Sequence, residues 1–204
     1  ACVAPAWATV ITTGDVDPGG AGTQPDPWSI EGTLKVGDYW DGTLNVRAGS
    51  VVSNSDGYIG YTFGSTGEVT VSGAGSKWTN SDSLLVGESG DGRLNVDSGG
   101  EVSSAGGPIG TRSGSTGIVT VTGAGSKWTD SGSLPVGYYG NGTLNVENGG
   151  EVSSAGGWIG YYPGSTGEAT ITGAGSKWDN SDDLYIGGGA LTAGGSGTLN
   201  IHDS

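Results

Sequence analysis

The tryptophans of this 204-residue chain follow a strict period. Trp28, Trp78, Trp128 and Trp178 lie fifty residues apart, and each of the last three ends the same six residues, GAGSKW. Self-similarity at a fixed period is the signature of a stacked repeat, in which each unit contacts only its neighbours. The period therefore constrains the fold more than any local motif does, and it predicts a solenoid.

Each fifty-residue unit divides into two similar halves, and each half is marked by a triplet of apolar, polar and apolar residues. Alternation with a period of two is typical of a half-buried strand, whose outer members face the core. A second strand signal, an aliphatic residue followed by Gly, precedes each triplet, and a weaker third signal follows alternate triplets. The triplets begin, 25 residues apart, at Leu44, Val69, Leu94, Val119, Leu144 and Ala169.

No helical periodicity interrupts these signals, so the pattern predicts an all-β fold. Two or three short strands per 25 residues are typical of one coil of a single-stranded parallel β-helix. Residues 28–204 supply about seven coils, and at roughly 4.8 Å between strands they predict a rod about 30–35 Å long. Isolated coils are not expected to fold, because each one buries its apolar side chains against its neighbours.

Charge and composition exclude several functional classes. The chain has 21 Asp and Glu residues against 7 Lys and Arg residues, for a formal net charge of −14. A protein with this balance lacks the basic surface that binds nucleic acid or anionic lipid. No apolar run reaches the roughly 18 residues that suggest a membrane-spanning helix, so we expect no nucleic-acid partner and no membrane insertion. The single cysteine, Cys2, excludes an internal disulfide framework.

The consensus of the repeat is specific enough to indicate a family. The string GSTGxVTVxGAGSKW…LxVGxxGxGTLNVxxGGxVS, over residues 28–204, resembles the repeat of type V autotransporter passengers and PEP-CTERM-sorted bacterial surface proteins. This type V autotransporter/PEP-CTERM-associated repeat family implies an extracellular β-helical stalk or adhesin region without catalytic activity, secreted or held at the bacterial cell surface. One departure from the pattern is an insertion of five residues around 188–196 in the fourth unit.

Positions that recur in every copy are most simply explained by coil geometry. We interpret Trp28, Trp78, Trp128 and Trp178 as structural side chains that cover a glycine-rich corner, because an amphipathic indole suits that place. An exposed aromatic ladder is the alternative. The Asn and Thr residues at the centres of the triplets are expected to form an outward ladder that supports the register between coils.

Two positions vary between copies instead, and both flank the strand that ends in an aliphatic residue and Gly. Aromatic side chains grouped there on one solenoid face can stack on sugar rings or pack against another chain. Simple covering of the corners is the plain alternative. The predicted ligand or partner face consists of Tyr39, Trp40, Tyr58, Tyr61, Tyr138, Tyr139, Trp158, Tyr161 and Tyr162.

Catalytic and metal-binding patterns are sparse in this sequence. Polysaccharide lyases and hydrolases need a base beside cation-holding acids, or two close carboxylates. The basic candidates are Arg47, Arg93, Arg112 and His202, and none stands with an acid and an orienting group. We therefore predict a protein that is not an enzyme, with no cofactor and no dedicated metal site. A weak Ca²⁺ site is the alternative for the scattered carboxylates Asp82, Asp91, Asp97, Asp179, Asp182 and Asp183.

The two ends of the chain depart from the repeat. Residues 1–27 do not match it and begin with an apolar window that contains Trp7, Val10 and Ile11, while the start without Met suggests signal removal or a cut chain. The last copy stops after Leu199 and Ile201, where earlier copies continue. Open strand edges at the ends of a β-helix must be capped, or they polymerise.

These observations predict a capping or inter-subunit segment at 1–27 and a β-solenoid of double-coil repeats at 28–204. We expect either a cap within one chain or end-to-end self-association of copies into a filament. The function that the patterns favour is a non-enzymatic extracellular structural or adhesive β-solenoid with a glycan or cell-surface partner. A carbohydrate-binding module that uses the aromatic residues is the alternative, and a polysaccharide-active β-helix enzyme is the third reading.

Overall fold

The computed structural model describes residues 9–189 and 192–202, and these residues form strands, turns and loops. The part of the chain that it describes contains no helix, in agreement with the predicted all-β class. It therefore also contains no helix long and apolar enough to cross a membrane. Trp7, which the sequence places in the apolar N-terminal window, lies outside the described residues.

Short strands alternate with glycine-rich turns along the described chain. Most of them bury every second side chain, as the period of two in the sequence predicts. In chain order the strands are β1 (Thr9–Gly14), β2 (Val16–Asp17), β3 (Gly22–Gln24), β4 (Trp28–Ser29), β5 (Leu34–Val36), β6 (Gly42–Arg47), β7 (Val51–Asn54), β8 (Gly57–Ile59), β9 (Thr66–Ser72), β10 (Lys77–Asn80), β11 (Leu84–Val86), β12 (Asp91–Asp97), β13 (Glu101–Ser104), β14 (Thr116–Thr122), β15 (Lys127–Asp130), β16 (Leu134–Val136), β17 (Asn141–Glu147), β18 (Glu151–Ser154), β19 (Gly157–Ile159), β20 (Thr166–Thr172), β21 (Lys177–Asn180), β22 (Leu184–Ile186), β23 (Gly188–Gly189), β24 (Thr192–Ala193) and β25 (Ser196–His202).

The strands stack into three parallel sheets, and each coil contributes a strand to all three except the coil of β13 and β14, which reaches the third sheet only through isolated bridges at Ile109. The first sheet runs β6-β9-β12-β14-β17-β20-β25, and the second runs β4-β7-β10-β13-β15-β18-β21. The third sheet has two parts, β5-β8-β11 and β16-β19-β22. The predicted single-stranded parallel β-helix with about 25 residues per coil is confirmed. The seven coils expected from the sequence correspond to the seven parallel strands of the first sheet, which enclose about six turns.

Aliphatic columns fill the interior of the rod. Leu44 pairs with Val69 and Leu94 with Val119 in adjacent strands of the first sheet, and all four side chains are fully buried. The Asn and Thr residues at the centres of the triplets are only half-buried on the outer side. Burying a Leu or Val side chain contributes about 1.5–3 kcal/mol. Because those contacts are made with the coils above and below, the columns hold successive coils together.

The tryptophan column lies in the second sheet and faces the same interior. Trp78 and Trp128 are fully buried, Trp28 is nearly so, and Trp178 is partly buried where it packs against the core. These indoles are therefore part of the hydrophobic core, and an exposed aromatic ladder does not describe them.

A ladder of buried polar side chains accompanies the tryptophans, because a buried indole N–H needs an acceptor. Trp78 Nε1 donates to Asn54 Oδ1 at 2.6 Å, and Asn54 Nδ2 donates to Asn80 Oδ1 at 2.7 Å. In a later unit Trp128 Nε1 donates to Ser104 Oγ at 3.0 Å. The ladder thus links coils through hydrogen bonds where the aliphatic columns link them through apolar contact.

One member of this ladder is an acid. Asp130 stands fifty residues after Asn80, in the equivalent place, and accepts from Ser104 Oγ at 2.7 Å and from the Gly132 N–H at 2.7 Å. Burial raises the pKa of Asp130 to about 6, against the opposing effect of these two hydrogen bonds. The protein therefore holds a titratable group where the preceding unit has a neutral amide.

Glycine follows each third-sheet strand because two coils approach closely there. Gly110 has a φ of +68°, which disfavours other residues, and a Cβ atom at this position would overlap the backbone carbonyl of Asn141 in a neighbouring coil. The high glycine content of the chain is thus a property of the coil corners rather than a sign of low complexity.

Residues 9–24 cover the first coil within the same chain. Strand β1 pairs antiparallel with β6, β3 pairs antiparallel with the other side of β1, and β2 covers β5 in the same way. Val10 is fully buried in this cap, whereas Ile11 points outward and is more than a third exposed. The reversed strands end the parallel stack with an edge of only three residues in β3, and so short an edge is a poor template for further pairing.

The last described coil has no such cover. Leu184, Ile186 and Ile201 face the solvent, although their counterparts in the preceding coils are fully buried. The insertion in the fourth unit forms the small antiparallel pair β23 and β24 beside this coil. It also lengthens the coil, so that Ala169 pairs with Leu199, thirty residues further on.

Candidate functional site

An outward-facing column of side chains runs along the third sheet. Strands β8, β11 and β19 each bury their two outer residues and leave the middle residue at the surface, whereas the middle residue of β16, Pro135, is covered by its neighbours and buried. Successive coils stack these middle residues at the strand spacing of about 4.8 Å. This outer column consists, in coil order, of Lys35, Tyr58, Leu85, Pro108, Pro135, Trp158 and Tyr185.

Two further columns adjoin it where the chain turns out of the third sheet. Backbone hydrogen bonds fix their register, such as those from Arg112 N to Glu88 O and from Tyr162 N to Tyr138 O, both at 3.1 Å. We call these two corner columns, together with the outer column, the aromatic face. The first corner column consists of Asp38, Tyr61, Glu88, Thr111, Tyr138 and Tyr161, and the second of Tyr39, Thr62, Ser89, Arg112, Tyr139 and Tyr162.

Five aromatic side chains of this face meet in two consecutive coils. Tyr139 and Tyr162 stack with ring centroids 4.0 Å apart, and Tyr138 and Tyr161 stack at 5.5 Å. Trp158 tilts against Tyr161 with centroids 5.3 Å apart. Aromatic pairs at such distances contribute about 0.5–1.5 kcal/mol beyond the burial of their area. The five side chains therefore hold one another in a preformed arrangement, the aromatic cluster.

The surroundings of the cluster change the pKa values of its tyrosine hydroxyl groups. Burial, together with hydrogen bonding to Tyr162, raises the pKa of Tyr138 to about 12. Hydrogen bonding also raises the pKa of Tyr139 and lowers that of Tyr162. Tyr138 thus stays protonated near neutral pH, and the cluster offers phenolic groups that both donate and accept hydrogen bonds.

A groove lies beside the cluster, at the point where the outer column changes from proline to tryptophan. Proline side chains at two successive places are much smaller than the indole that follows them. Because the proline side chains are the smaller ones, an open groove of about 300 Å³ lies over them, beside the indole. The residues that line it, all of them uncharged, are Pro108, Ser133, Pro135, Tyr138, Trp158 and Tyr161.

The same prolines interrupt the third sheet. Proline has no N–H to donate to a strand ladder, and the sheet divides between β11 and β16, where Ile109 makes only isolated bridges. One unit earlier Tyr58 and Leu85 occupy the positions equivalent to Pro108 and Pro135, and there the ladder is continuous. The two prolines therefore account both for the break in the sheet and for the floor of the groove.

A smaller aromatic pair occupies the first unit of the same face. The rings of Tyr58 and Tyr61 meet edge to face with centroids 5.0 Å apart. Lys35 Nζ lies 4.3 Å from the centroid of the Tyr61 ring and 3.3 Å from Asp38 Oδ1. This pair thus borders a charged lysine in the place where Trp158 borders a proline.

An ion pair separates the two aromatic parts of the face. Arg112 Nε donates to Glu88 Oε1 at 2.7 Å, and the carboxylate is nearly buried while the arginine side chain is mostly exposed. The hydrogen bond and the charge of Glu88 raise the pKa of Arg112. Among the described residues, Glu88 Oε2 and Thr111 Oγ1 are buried and have no hydrogen-bond partner. Unpaired buried polar atoms cost stability. The polar side chains of these two coils separate the aromatic pair of the first unit from the aromatic cluster.

The structure divides the predicted ligand or partner face into three parts. Its five later members form the aromatic cluster, and Tyr58 with Tyr61 forms the separate pair. Tyr39 and Trp40 lie largely exposed at a corner of the first coil, and both of their backbone N–H groups donate to Asp15 Oδ2, at 2.6 and 2.9 Å. Within the residues described here, no aromatic contact joins these two side chains to the other parts.

The sequence-based prediction omitted Leu85, Pro135 and Tyr185, which belong to the outer column. Each of them directly precedes an aliphatic residue and Gly, as Tyr58 and Trp158 do in the other half-unit. Alignment of the full units already shows the variation, since positions 35, 85, 135 and 185 hold Lys, Leu, Pro and Tyr, but the prediction considered only the varied positions of the other half-unit and of the corners.

The described residues do not gather the named aspartates and the candidate bases into one site, and the one candidate base paired with a carboxylate is Arg112, which bonds to Glu88. Over the described ranges, 9–189 and 192–202, no three His, Cys, Asp or Glu residues are placed to hold a metal ion. The structure does not gather the aspartates named for a weak Ca²⁺ site into such a group. Arg47 Nη2 donates a hydrogen bond to Asn45 Oδ1 at 2.6 Å. Arg112 lies several coils from Arg47 and donates to Glu88 Oε1.

No protein-family model, no curated protein and no solved structure matches this chain, so its own residues and geometry carry what can be proposed about its function.

Proposed function

We propose that this chain is a non-enzymatic, extracellular structural and adhesive β-solenoid, a stiff rod that displays the aromatic face to a partner. The observation that carries the proposal is the separation between repeated and varied residues. The apolar residues that recur in every unit lie in the interior, and aromatic residues that vary come together on one outward face. A rod whose core residues are repeated, and whose surface residues vary on one face, is suited to present a binding surface.

An extracellular setting is supported by composition and by the resemblance to bacterial surface repeats. A net charge of −14 favours solubility and disfavours binding to anionic polymers. The core is built from contacts between successive coils, which suits a stiff stalk.

Adhesion is tested by retention of the purified chain on a surface. We expect fluorescently labelled protein to be retained on bacterial cells and on polysaccharide-coated beads, and a Tyr139→Ala/Trp158→Ala/Tyr162→Ala variant to be washed off at the same salt concentration. Equal retention of the two proteins would refute an adhesive role for this face. Release of new reducing ends from any of the polysaccharides would refute the non-enzymatic part.

End-to-end association of copies is a separate proposal, supported by the uncovered last coil. Leu184, Ile186 and Ile201 would be buried by a second copy, or equally by a further coil of a longer chain. The cap formed by β1 and β3 covers the first coil, so a second copy would have to seat on the cap rather than on a parallel strand. Electron microscopy over a range of concentrations separates the two cases. Filaments with an axial repeat of one rod length support association, and rods that remain single at every concentration contradict it.

A carbohydrate-binding module is the second candidate function. The observation that favours it is the uncharged groove beside the aromatic cluster, because sugar-binding surfaces combine flat aromatic rings with hydroxyl groups.

A further inference from the structure

We infer that the groove beside Trp158 binds a neutral polysaccharide, whose chain lies along the axis of the rod over Pro108 and Pro135 and ends against Trp158. This inference rests on the proposed adhesive function and names the chemistry of its partner. The outer column is the only place in the described face where two prolines stand next to a large indole.

The shape of the groove suits a flat, semi-rigid ligand. The two prolines form a floor without flexible side chains, Trp158 closes one end, and Tyr138 with Tyr161 forms a side wall. The stacked pairs 4.0 and 5.5 Å apart hold that wall in place before a ligand arrives. A preformed wall saves the entropy of ordering side chains on binding.

The chemistry of the lining favours sugars without charge. The C–H face of a sugar ring carries a weak positive potential and stacks on the negative face of an aromatic ring. The hydroxyl groups of Tyr138, Tyr161 and Ser133 can exchange hydrogen bonds with sugar hydroxyls. None of the lining residues is cationic, and the net charge of −14 repels an anionic polymer.

The spacing of the coils sets the direction of the bound chain. Successive members of the outer column are about 4.8 Å apart, which is close to the length of one sugar unit in an extended glycan. A glycan parallel to the axis therefore meets a new side chain of the face at each unit, whereas one lying across the axis leaves the groove after a single ring.

The extent of the groove argues against a protein partner. Stable protein interfaces bury about 800 Å² on each partner, and the aromatic cluster occupies only two coils. The face on the N-terminal side of the groove is broken by the charged pair of Arg112 and Glu88. A volume of about 300 Å³ is at the lower end of the range for small-molecule sites and fits one or two sugar rings.

Isothermal titration calorimetry with neutral oligosaccharides tests the inference on the whole chain. The probes are cellohexaose, laminarihexaose, xylohexaose and chitohexaose, with an oligogalacturonate of the same length as the anionic comparison. We expect saturable binding of at least one neutral probe, with the anionic oligomer at least about tenfold weaker.

Two variants alter the groove in different ways. Trp158→Ala removes the end wall, and Pro135→Leu fills the floor with the residue that Leu85 supplies at the equivalent position of the preceding unit. Each change should weaken binding at least about tenfold. Tyr58→Ala is the matched control, because Tyr58 holds the position equivalent to Trp158 but borders Lys35 instead of a proline. It should leave binding unchanged, and circular dichroism should show that all three variants retain the fold.

The inference is overturned if none of the neutral probes binds, if the oligogalacturonate binds at least as well, or if Trp158→Ala and Tyr58→Ala have equal effects. Loss of binding in Trp158→Ala with full binding in Pro135→Leu would overturn the place of the prolines in the site. These outcomes are distinguishable from failure of the adhesive function. A chain that is retained on cells through the aromatic face, yet binds none of the probes, is adhesive through another ligand.

Discussion

Interior and outward positions of this rod differ in how much their residues vary from unit to unit, although both belong to the same repeat. The tryptophans Trp78 and Trp128 hold one position in successive units, and both are fully buried in the same interior column. The outer column places Tyr58, Pro108 and Trp158 at one position of successive units, and their surroundings differ from unit to unit. Interior positions have to fit two neighbouring coils at once, whereas an outward side chain is constrained only by those beside it.

The difference shows where function can reside in a solenoid. A change of volume at an interior position is felt by the coils on both sides, because protein interiors are packed at crystal-like density. A change at an outward position alters the surface and leaves the stack intact. Residues that are repeated in every unit therefore indicate what the packing of a coil requires. Residues that vary between units indicate where a functional surface can lie.

The largest effect should come from removing an interior indole. Trp128→Ala leaves a cavity and removes the hydrogen bond that Ser104 Oγ accepts in the polar ladder, so we expect the free energy of unfolding to fall by about 3–5 kcal/mol. Trp158→Ala, a tryptophan on the aromatic face, should cost no more than about 1 kcal/mol. Guanidinium titrations monitored by circular dichroism measure both values. Similar losses in the two variants would show that the face also supports the fold.

A second comparison uses one position in two coils of the first sheet. Leu144 is fully buried between neighbours, whereas Leu199 lies in β25 at the uncovered end and is only partly buried. Leu144→Ala should lower the free energy of unfolding by about 2–5 kcal/mol, and Leu199→Ala by less than half of the value found for Leu144→Ala. If copies associate end to end, the cost at Leu199 should rise with protein concentration. An equal cost at low concentration would contradict the open last coil.

The acid in the polar ladder should give the rod a pH dependence. The pKa of Asp130 is raised from 3.8 to about 6, so its proton binds more tightly in the folded chain than in the unfolded chain. The corresponding stability is fully present below about pH 4 and is lost as the pH rises through about 6, and it amounts to on the order of 2–3 kcal/mol.

Urea titrations of matched variants test this sign. Asp130→Asn should lose this component of the pH dependence, because it places an amide where Asn80 and Asn180 stand in the other units. Asn80→Asp should introduce a second component of the same sign. If the stability of the unchanged protein were to rise relative to Asp130→Asn between about pH 4 and 6, the ionised form of Asp130 would be the stabilised one.

The smallest effect is expected at the most exposed large hydrophobic side chain of the described residues. Phe63 is 83% exposed and lies at a corner of the rod. Phe63→Ala should change the free energy of unfolding by no more than about 0.5 kcal/mol in either direction. A larger loss, measured in the same guanidinium titration, would mean that this corner is packed in solution.

Much of the fold follows from local pattern. The triplet that starts at Leu94 and the one that starts at Val119 share the two-residue period, and the structure pairs them in the predicted register. The outward and inward directions of side chains follow equally from that period, because successive residues of a strand face opposite sides. The candidate face was found only in part, since Pro135 and Tyr185 vary from unit to unit but only the three-dimensional stack places them in one column with Tyr58 and Trp158.

The sequence by itself determined the class of fold, the length of a coil, the identity of the core columns and the choice of aromatic residues for one side of the rod. Those features depend on spacing along the chain, which is visible in the letters. Only the tertiary structure decided that Tyr138, Trp158 and Tyr161 share one groove with two prolines, that Asp130 is buried, and that residues 9–24 fold back on the first coil. These features depend on which side chains of different coils meet, and such contacts arise only when the stack has closed over residues far apart in sequence.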